Sequence, residues 1–191
     1  MSFDNTVPDL LFQSGSLKIR LAADKEFCAK IQDSYNILRS VIQSGGIIYS
    51  CGNGGSTCDA MHLTEELVAR YKKNRPGIKA MHLMDASTLT CWSNDFCFEQ
   101  AFARQVDTFC TNKDVLVAIS TSGNSKNIIE ACKAAKNKGA KVVALTGKDG
   151  GELRSLADVS LIVPSSFTER IQETHITIIH IWCELLESNL F

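Results

Sequence analysis

Five short apolar runs, at 46–50, 80–84, 115–120, 141–145 and 159–163, recur along the 191 residues with helical patterns between them. Each is bounded by Gly, Asp, Asn or Pro and is predominantly apolar rather than alternating, as strands buried on both faces are. Helical patterns fall at 56–72, around 96–109 and at 127–138. This alternation predicts βαβ units and an α/β fold, a three-layer doubly wound parallel sheet. Right-handed crossovers then place helices on both faces, and ligands bind beyond the C-terminal ends of the strands. Residues 17–43 read as one long or two shorter amphipathic helices, with Leu17, Leu21, Phe27, Ile31, Tyr35, Leu38 and Ile42 among the apolar set. A last helix is expected at 167–188, with Ser166 and Glu169 in the spacing of a capping box. No linker or repeat interrupts the pattern, so 1–191 is expected to be one domain, with 1–44 as an extra N-terminal helical segment.

Charge and cysteine usage narrow the function classes. Lys and Arg total 20 against 21 acidic residues, which leaves no global basic field to hold nucleic acid. An anionic ligand must be held by local features. The eight cysteines contain no CxxC pair and read as free thiols in a reducing compartment. Met1-Ser2-Phe3-Asp4 lacks the basic segment and apolar core of a signal peptide, and no apolar run approaches the ~20 residues of a membrane span. A cytoplasmic protein without a membrane partner is the expectation.

Chemistry concentrates in two strand-to-helix turns. The first is Cys51-Gly52-Asn53-Gly54-Gly55-Ser56, where glycines let the backbone turn tightly and approach a ligand. The free amides of the helix that follows favour an anion. One to two turns into that helix, His62 and Glu66 stand four residues apart and project from one face, as an acid/base or metal-ligand pair would. The turn matches neither GxGxxG nor the GxxxxGKS loop, so it supports neither a dinucleotide nor ATP. Taken alone, it reads more readily as a tight strand-to-helix turn with a solvated His/Glu pair.

The second turn, Ser120-Thr121-Ser122-Gly123-Asn124-Ser125, follows an apolar strand and precedes the helix beginning near Asn127. Its hydroxyls and amides suit a phosphate monoester, although Ser/Gly/Asn clusters are also ordinary turn chemistry. In the last helix Gln172 and His180 share a broad face through Ile176.

Strand, Gly-Asn-Gly-Gly-Ser, helix, then strand, Ser-Thr-Ser-Gly-Asn-Ser, helix, resembles the sugar isomerase (SIS) domain. Asp59-Ala60-Met61-His62, Glu65-Glu66-Leu67, Asn74-Arg75-Pro76, Asn94-Asp95-Phe96, the segment 145–151 and Arg170-Ile171-Gln172-Glu173 with His180 sharpen this. Over essentially the whole chain they are similar to the bacterial phosphoheptose isomerase family. That resemblance implies aldose–ketose isomerisation of sedoheptulose 7-phosphate to D-glycero-D-manno-heptose 7-phosphate, an early step towards heptoses of lipopolysaccharide core or capsule. It implies that Asn53, Gly54, Gly55 and Ser56 line the sugar, joined by Asn94 and Asp95. Ser120, Thr121, Ser122 and Ser125 would hold the phosphate. His62, Glu66, Gln172 and His180 match positions for one Zn2+ per subunit, and Glu66 and Gln172 also match substrate positions. Glu66 and His180 match the catalytic pair. A homotetramer with sites at subunit interfaces follows from the same resemblance.

Moving a carbonyl between C2 and C1 needs a base and an acid on adjacent carbons and oxygens, for which a carboxylate and an imidazole are suited. A Glu66 fully committed to zinc would be a poorer base. Either the metal is loosely held, or one carboxylate oxygen stays free. The alternative to an enzyme is a non-catalytic SIS protein that binds a sugar phosphate or a protein partner as a regulator.

Overall fold

The computed structural model describes residues 6–191, and the first five, including the whole Met1-Ser2-Phe3-Asp4 segment read for a signal peptide, lie outside the described residues. Two helices lead the chain, α1 (Val7–Ala23) and α2 (Lys25–Gln43). Their break is local chemistry. Asp24 leaves the helical region, and its Oδ1 accepts the amides of Glu26 at 3.0 Å and Phe27 at 3.1 Å, capping α2. The 17–43 segment is thus parts of two helices, and the first begins ten residues earlier than the apolar pattern suggested.

The sheet follows: β1 (Ile48–Gly52), β2 (Ala80–His82), β3 (Val115–Ser120), β4 (Lys141–Gly147) and β5 (Val159–Val163), all parallel in the order β2-β1-β3-β4-β5. Helices α3 (Gly55–Val68), α4 (Ala86–Asp95), α5 (Ala101–Phe109), α6 (Lys126–Asn137), α7 (Leu153–Leu156) and α8 (Thr168–Leu190) alternate with the strands. Successive strand residues enter different cores. Ile48, Val115, Val117, Val143 and Leu145 face α2, α3 and α8, whereas Tyr49, Leu116, Ala118, Val142 and Ala144 face α5 and α6. The doubly wound, three-layer sheet expected from the alternation of short apolar runs with helical patterns is the fold observed. Among the described residues no helix is long and apolar enough to cross a membrane.

Several boundaries differ for identifiable reasons. The first strand runs 48–52 rather than 46–50, because the Gly46 amide donates back to the Val41 carbonyl at the end of α2 and the Ile47 amide donates to Asp114 Oδ1, whereas Gly52 pairs in register with Ile119. Helix α4 carries no buried residue and so had no apolar stripe to announce it. The expected helix at 96–109 is a short 3₁₀ turn at Phe98–Gln100 followed by α5. The capping box at Ser166 and Glu169 does not form. Phe167 occupies the N-cap of α8 without a side-chain bond, and its amide turns back to Ser165 Oγ at 3.2 Å.

One buried titratable group couples the core to pH. His175 is fully buried in α8, with Nε2 3.0 Å from the Thr146 carbonyl and Nδ1 without a partner. Burial holds its pKa down at about 4, with the Thr146 contact pulling the other way. The unfolded chain takes up this proton near 6.5 and the folded chain only near 4, so the fold loses stability as pH falls through that window. Thermal melts of the parent and His175→Gln between pH 7.5 and 4.5 test this. The parent should lose on the order of 2 kcal/mol more than the variant over that range, and parallel losses would show that His175 does not set the slope.

Candidate active site

In a parallel sheet the helix after each strand runs back against the strand direction, so α3 and α8 share a direction on the same sheet face. Gly55 opens α3 and Gln172 lies in the first turns of α8, and these starts touch. A Cβ on Gly55 would sit 2.4 Å from Gln172 Nε2. Seven residues along α3 come His62, then Glu66; eight residues along α8 comes His180. Equal advance along neighbouring helices brings the three together. His62 Nε2 lies 3.1 Å from Glu66 Oε1, and His180 Nε2 lies 3.5 Å from His62 Nε2. The two imidazole rings meet edge to face at 5.1 Å. The 1.5 Å rise per residue sets this cluster about 10 Å down the groove from the glycine turn.

The donor chemistry fits a divalent ion. One ligand atom from each of His62, Glu66 and His180 lies within 4.8 Å of the others. Donors on tetrahedral zinc, at bond lengths of about 2.1 Å, stand about 3.4 Å apart, close to these separations. Two imidazole nitrogens facing each other also need a shared cation or proton to avoid lone-pair repulsion. Gln172 lies on the same ridge two turns before His180, its amide at the glycine turn. One turn before His62, Asp59 has a buried Oδ2 with no partner, and burial raises its pKa to about 6 against the lowering pull of His62. A carboxyl poised there can exchange a proton near neutral pH.

The glycine turn is built for close approach. Gly54 takes φ 55°, ψ −122°, outside the range of L side chains, and Gly52 lets the Ser56 carbonyl approach to where a Cβ would stand 2.3 Å away. Gly54 and Gly55 are exposed, whereas Ser56 is buried, its amide donating to the Asn53 carbonyl at 3.0 Å. Ser56 therefore lies beneath the turn rather than on its open side.

The serine turn converges too. Ser120 Oγ is 3.0 Å from Ser125 Oγ and 3.5 Å from Ser122 Oγ, and Ser125 is the N-cap of α6 without a side-chain bond of its own to the helix. Hydroxyls and uncapped helix amides thus face one small volume beside Thr121. The turns after β1 and β3 flank the point where strand order reverses, which is the crevice where doubly wound sheets bind ligands.

Asn53 joins the two turns. Its Nδ2 donates to Asn127 Oδ1 at 2.9 Å, and Asn127 Nδ2 donates to Asn53 Oδ1 at 2.8 Å. The family resemblance implies Asn53 at the sugar but gives no role to Asn127, whose only local signal is an amide in the first turn after the last serine. Asn94 and Asp95 stand exposed at the end of α4, Asn94 donating to Asp95 Oδ1 at 2.9 Å. No hydrogen bond among the described residues joins them to the cluster or to the serine turn. Glu65 is exposed, and Glu66 is the carboxylate that meets His62.

The SIS domain family model matches residues 13–147. A phosphoheptose isomerase of Histophilus somni (strain 2336) is 48% identical over 178 residues, 93% of this chain and 91% of that protein. Two solved structures are closely similar. A phosphoheptose isomerase from Neisseria gonorrhoeae has a TM-score of 0.89 at 38% identity, covering 95% of this chain and 97% of that one. Another from Francisella tularensis has a TM-score of 0.92 at 33% identity, covering 99% and 100%. The chain belongs to the SIS-domain family, in the branch of the phosphoheptose isomerases.

The Asn53–Asn127 pair yields a test. Asn127→Ala leaves the Asn53 amide unpaired between the turns, which should cost about 1–2 kcal/mol of stability and raise KM for a sugar phosphate several-fold. Thermal melts and steady-state kinetics read both quantities, and parental values in both would remove the bracing role.

Proposed function

We propose that this chain is an aldose–ketose isomerase that converts sedoheptulose 7-phosphate to D-glycero-D-manno-heptose 7-phosphate through a cis-enediolate. The observation that carries the reading is the meeting of His62, Glu66 and His180 in the α3/α8 groove. A regulator that only binds sugar phosphate needs the two donor-rich turns but not an acid/base cluster beside them.

The substrate phosphate would be held by the hydroxyls of Ser120, Thr121, Ser122 and Ser125 and by the first amides of α6, which supply short, charge-assisted hydrogen bonds. Asn53, Gly54, Gly55 and Gln172 would line the sugar on its way down the groove. Glu66 would take a proton from C1 of the ketose and return it at C2. Meanwhile His180 would give a proton to the C2 oxygen and accept one from the C1 hydroxyl, so the net change is the carbonyl's move to C1. Among the described residues no hydrogen bond engages Glu66 Oε2, which supports the alternative in which one carboxylate oxygen stays free to act. His62, Glu66 and His180 would hold Zn2+, and Gln172, whose amide rests at the glycine turn, would have to swing down the groove to serve as a fourth donor; when bound the ion would supply Lewis-acid stabilisation of negative charge on the substrate oxygens.

Assembly and location extend the same reading. Val7, Leu11, Phe12 and Ile19 expose an apolar face along α1, each at least 65% accessible, a face that further copies of the chain would cover in a homotetramer. The exposed Asn94 and Asp95 would reach substrate where such copies meet. The reaction would run in the cytoplasm and feed activated heptose to lipopolysaccharide core or capsule.

Incubation with sedoheptulose 7-phosphate in D2O tests the activity. The parent should wash deuterium into C1, and Glu66→Gln should slow this by about 10²–10⁴-fold with the fold intact. Binding without exchange in the parent would favour a regulator, and near-parental exchange in the variant would remove Glu66 as the base.

A further inference from the structure

Beyond the cluster, Arg75 and Glu187 form an ion pair between residues far apart in the chain, Arg75 Nε to Glu187 Oε1 at 3.3 Å, with side chains only 2% and 4% accessible. A buried pair is costly to desolvate and persists only where its remaining donors and acceptors are satisfied. Here they are. Glu187 Oε2 accepts the amides of Lys72 at 3.1 Å and Lys73 at 2.9 Å. Arg75 Nη2 donates to the Glu66 carbonyl at 2.8 Å, and Nη1 donates to the carbonyls of Leu67 at 3.0 Å and Pro76 at 3.1 Å. Burial works to raise the Glu187 pKa, but the two amides and Arg75 more than offset it and hold the carboxyl below its ordinary value.

Arg75 therefore caps α3, which has no basic residue in its own last turn. Its guanidinium neutralises the partial negative charge of the final carbonyls, one of which belongs to Glu66 itself. Glu187 lies seven residues after His180, two turns along the same face of α8. A closed circuit results: Glu66 backbone, Arg75, Glu187, two turns of α8, His180. The same loop brings the Tyr71 ring to 6.0 Å from the His180 ring and pairs Lys72 Nζ with Glu184 at 2.9 Å.

We propose that Arg75 and Glu187 are positioning residues that set the separation of Glu66 and His180 by fastening the last turn of α3 to α8. This rests on the acid/base reading of the cluster. A displacement of about 1 Å between catalytic groups can cost on the order of 10²-fold in rate, whereas the phosphate site, on other elements, is untouched by the loop.

The test compares Glu187→Gln, Arg75→Lys and the neutral double variant Arg75→Met/Glu187→Gln with the parent. Thermal melts, isomerase kinetics and zinc affinity by competition with a chromogenic chelator are measured at a temperature where each is folded. Each single variant should lose 10- to 100-fold in kcat with KM changed less than about twofold, and about 10-fold in zinc affinity. Removing both charges should restore much of the melting temperature lost in Glu187→Gln without restoring kcat or zinc affinity. Should Glu187→Gln not fold, Arg75→Lys, which keeps the charge but not the fork, carries the comparison. Parental kcat and zinc affinity in the folded variants, or their recovery together with stability in the double variant, would reduce the pair to a stability element and overturn the proposal. A parent that does not isomerise would fail the functional reading instead, and the zinc comparison would still decide the role of the pair.

Discussion

Two helices from opposite ends of the chain, α3 from the first crossover and α8 from the C-terminus, lie along one face of the sheet and point the same way. A parallel sheet imposes that direction, since each helix must run back from the edge its strand has just reached. Because the helices advance together, residues at matching heights meet in order: Gly55 with Gln172, then His62 and Glu66 with His180, then the α3 terminus with Glu187 through Arg75. The groove between them is therefore a graded site, with a close-approach turn at one end and a buried charged clasp at the other.

The sheet supplies the rest of the geometry through its strand order. Reversal between β1 and β3 opens a crevice, and both donor-rich turns sit on its rim. The reciprocal amide pair of Asn53 and Asn127 ties those turns together, so the segments that would meet sugar and phosphate hold a fixed relation before any ligand arrives. Pre-organisation of this kind reduces the ordering cost of binding.

How legible this was in the sequence depends on how local each signal is. Strands β3 and β5 could be read to the residue because their runs are predominantly apolar and sharply bounded. His62 and Glu66 were legible because i, i+4 spacing is a helix-face signature. His180 lies 118 residues from its partner His62, so only family resemblance connected them. The end of α3 was misjudged by four residues, because Arg75, from beyond the helix, is what satisfies its last carbonyls. The Asn127–Asn53 pair and the contacts of Glu187 with Arg75 and the Lys72 amide join residues 74 to 115 apart, and no local pattern encodes such pairings. The Ser166/Glu169 spacing had the opposite fault: it was a valid local signal, but the chain turned through Ser165 and Phe167 first.

The central claim is that one small molecule spans the serine turn and the His62–Glu66–His180 cluster. A crystal structure of the protein with sedoheptulose 7-phosphate tests it most directly. The account predicts the phosphate within hydrogen-bond distance of the Ser120, Ser122 and Ser125 hydroxyls, with C1 and C2 lying between Glu66 and His180. A phosphate seated elsewhere, or a sugar whose C1 and C2 lie out of reach of both side chains, would contradict it.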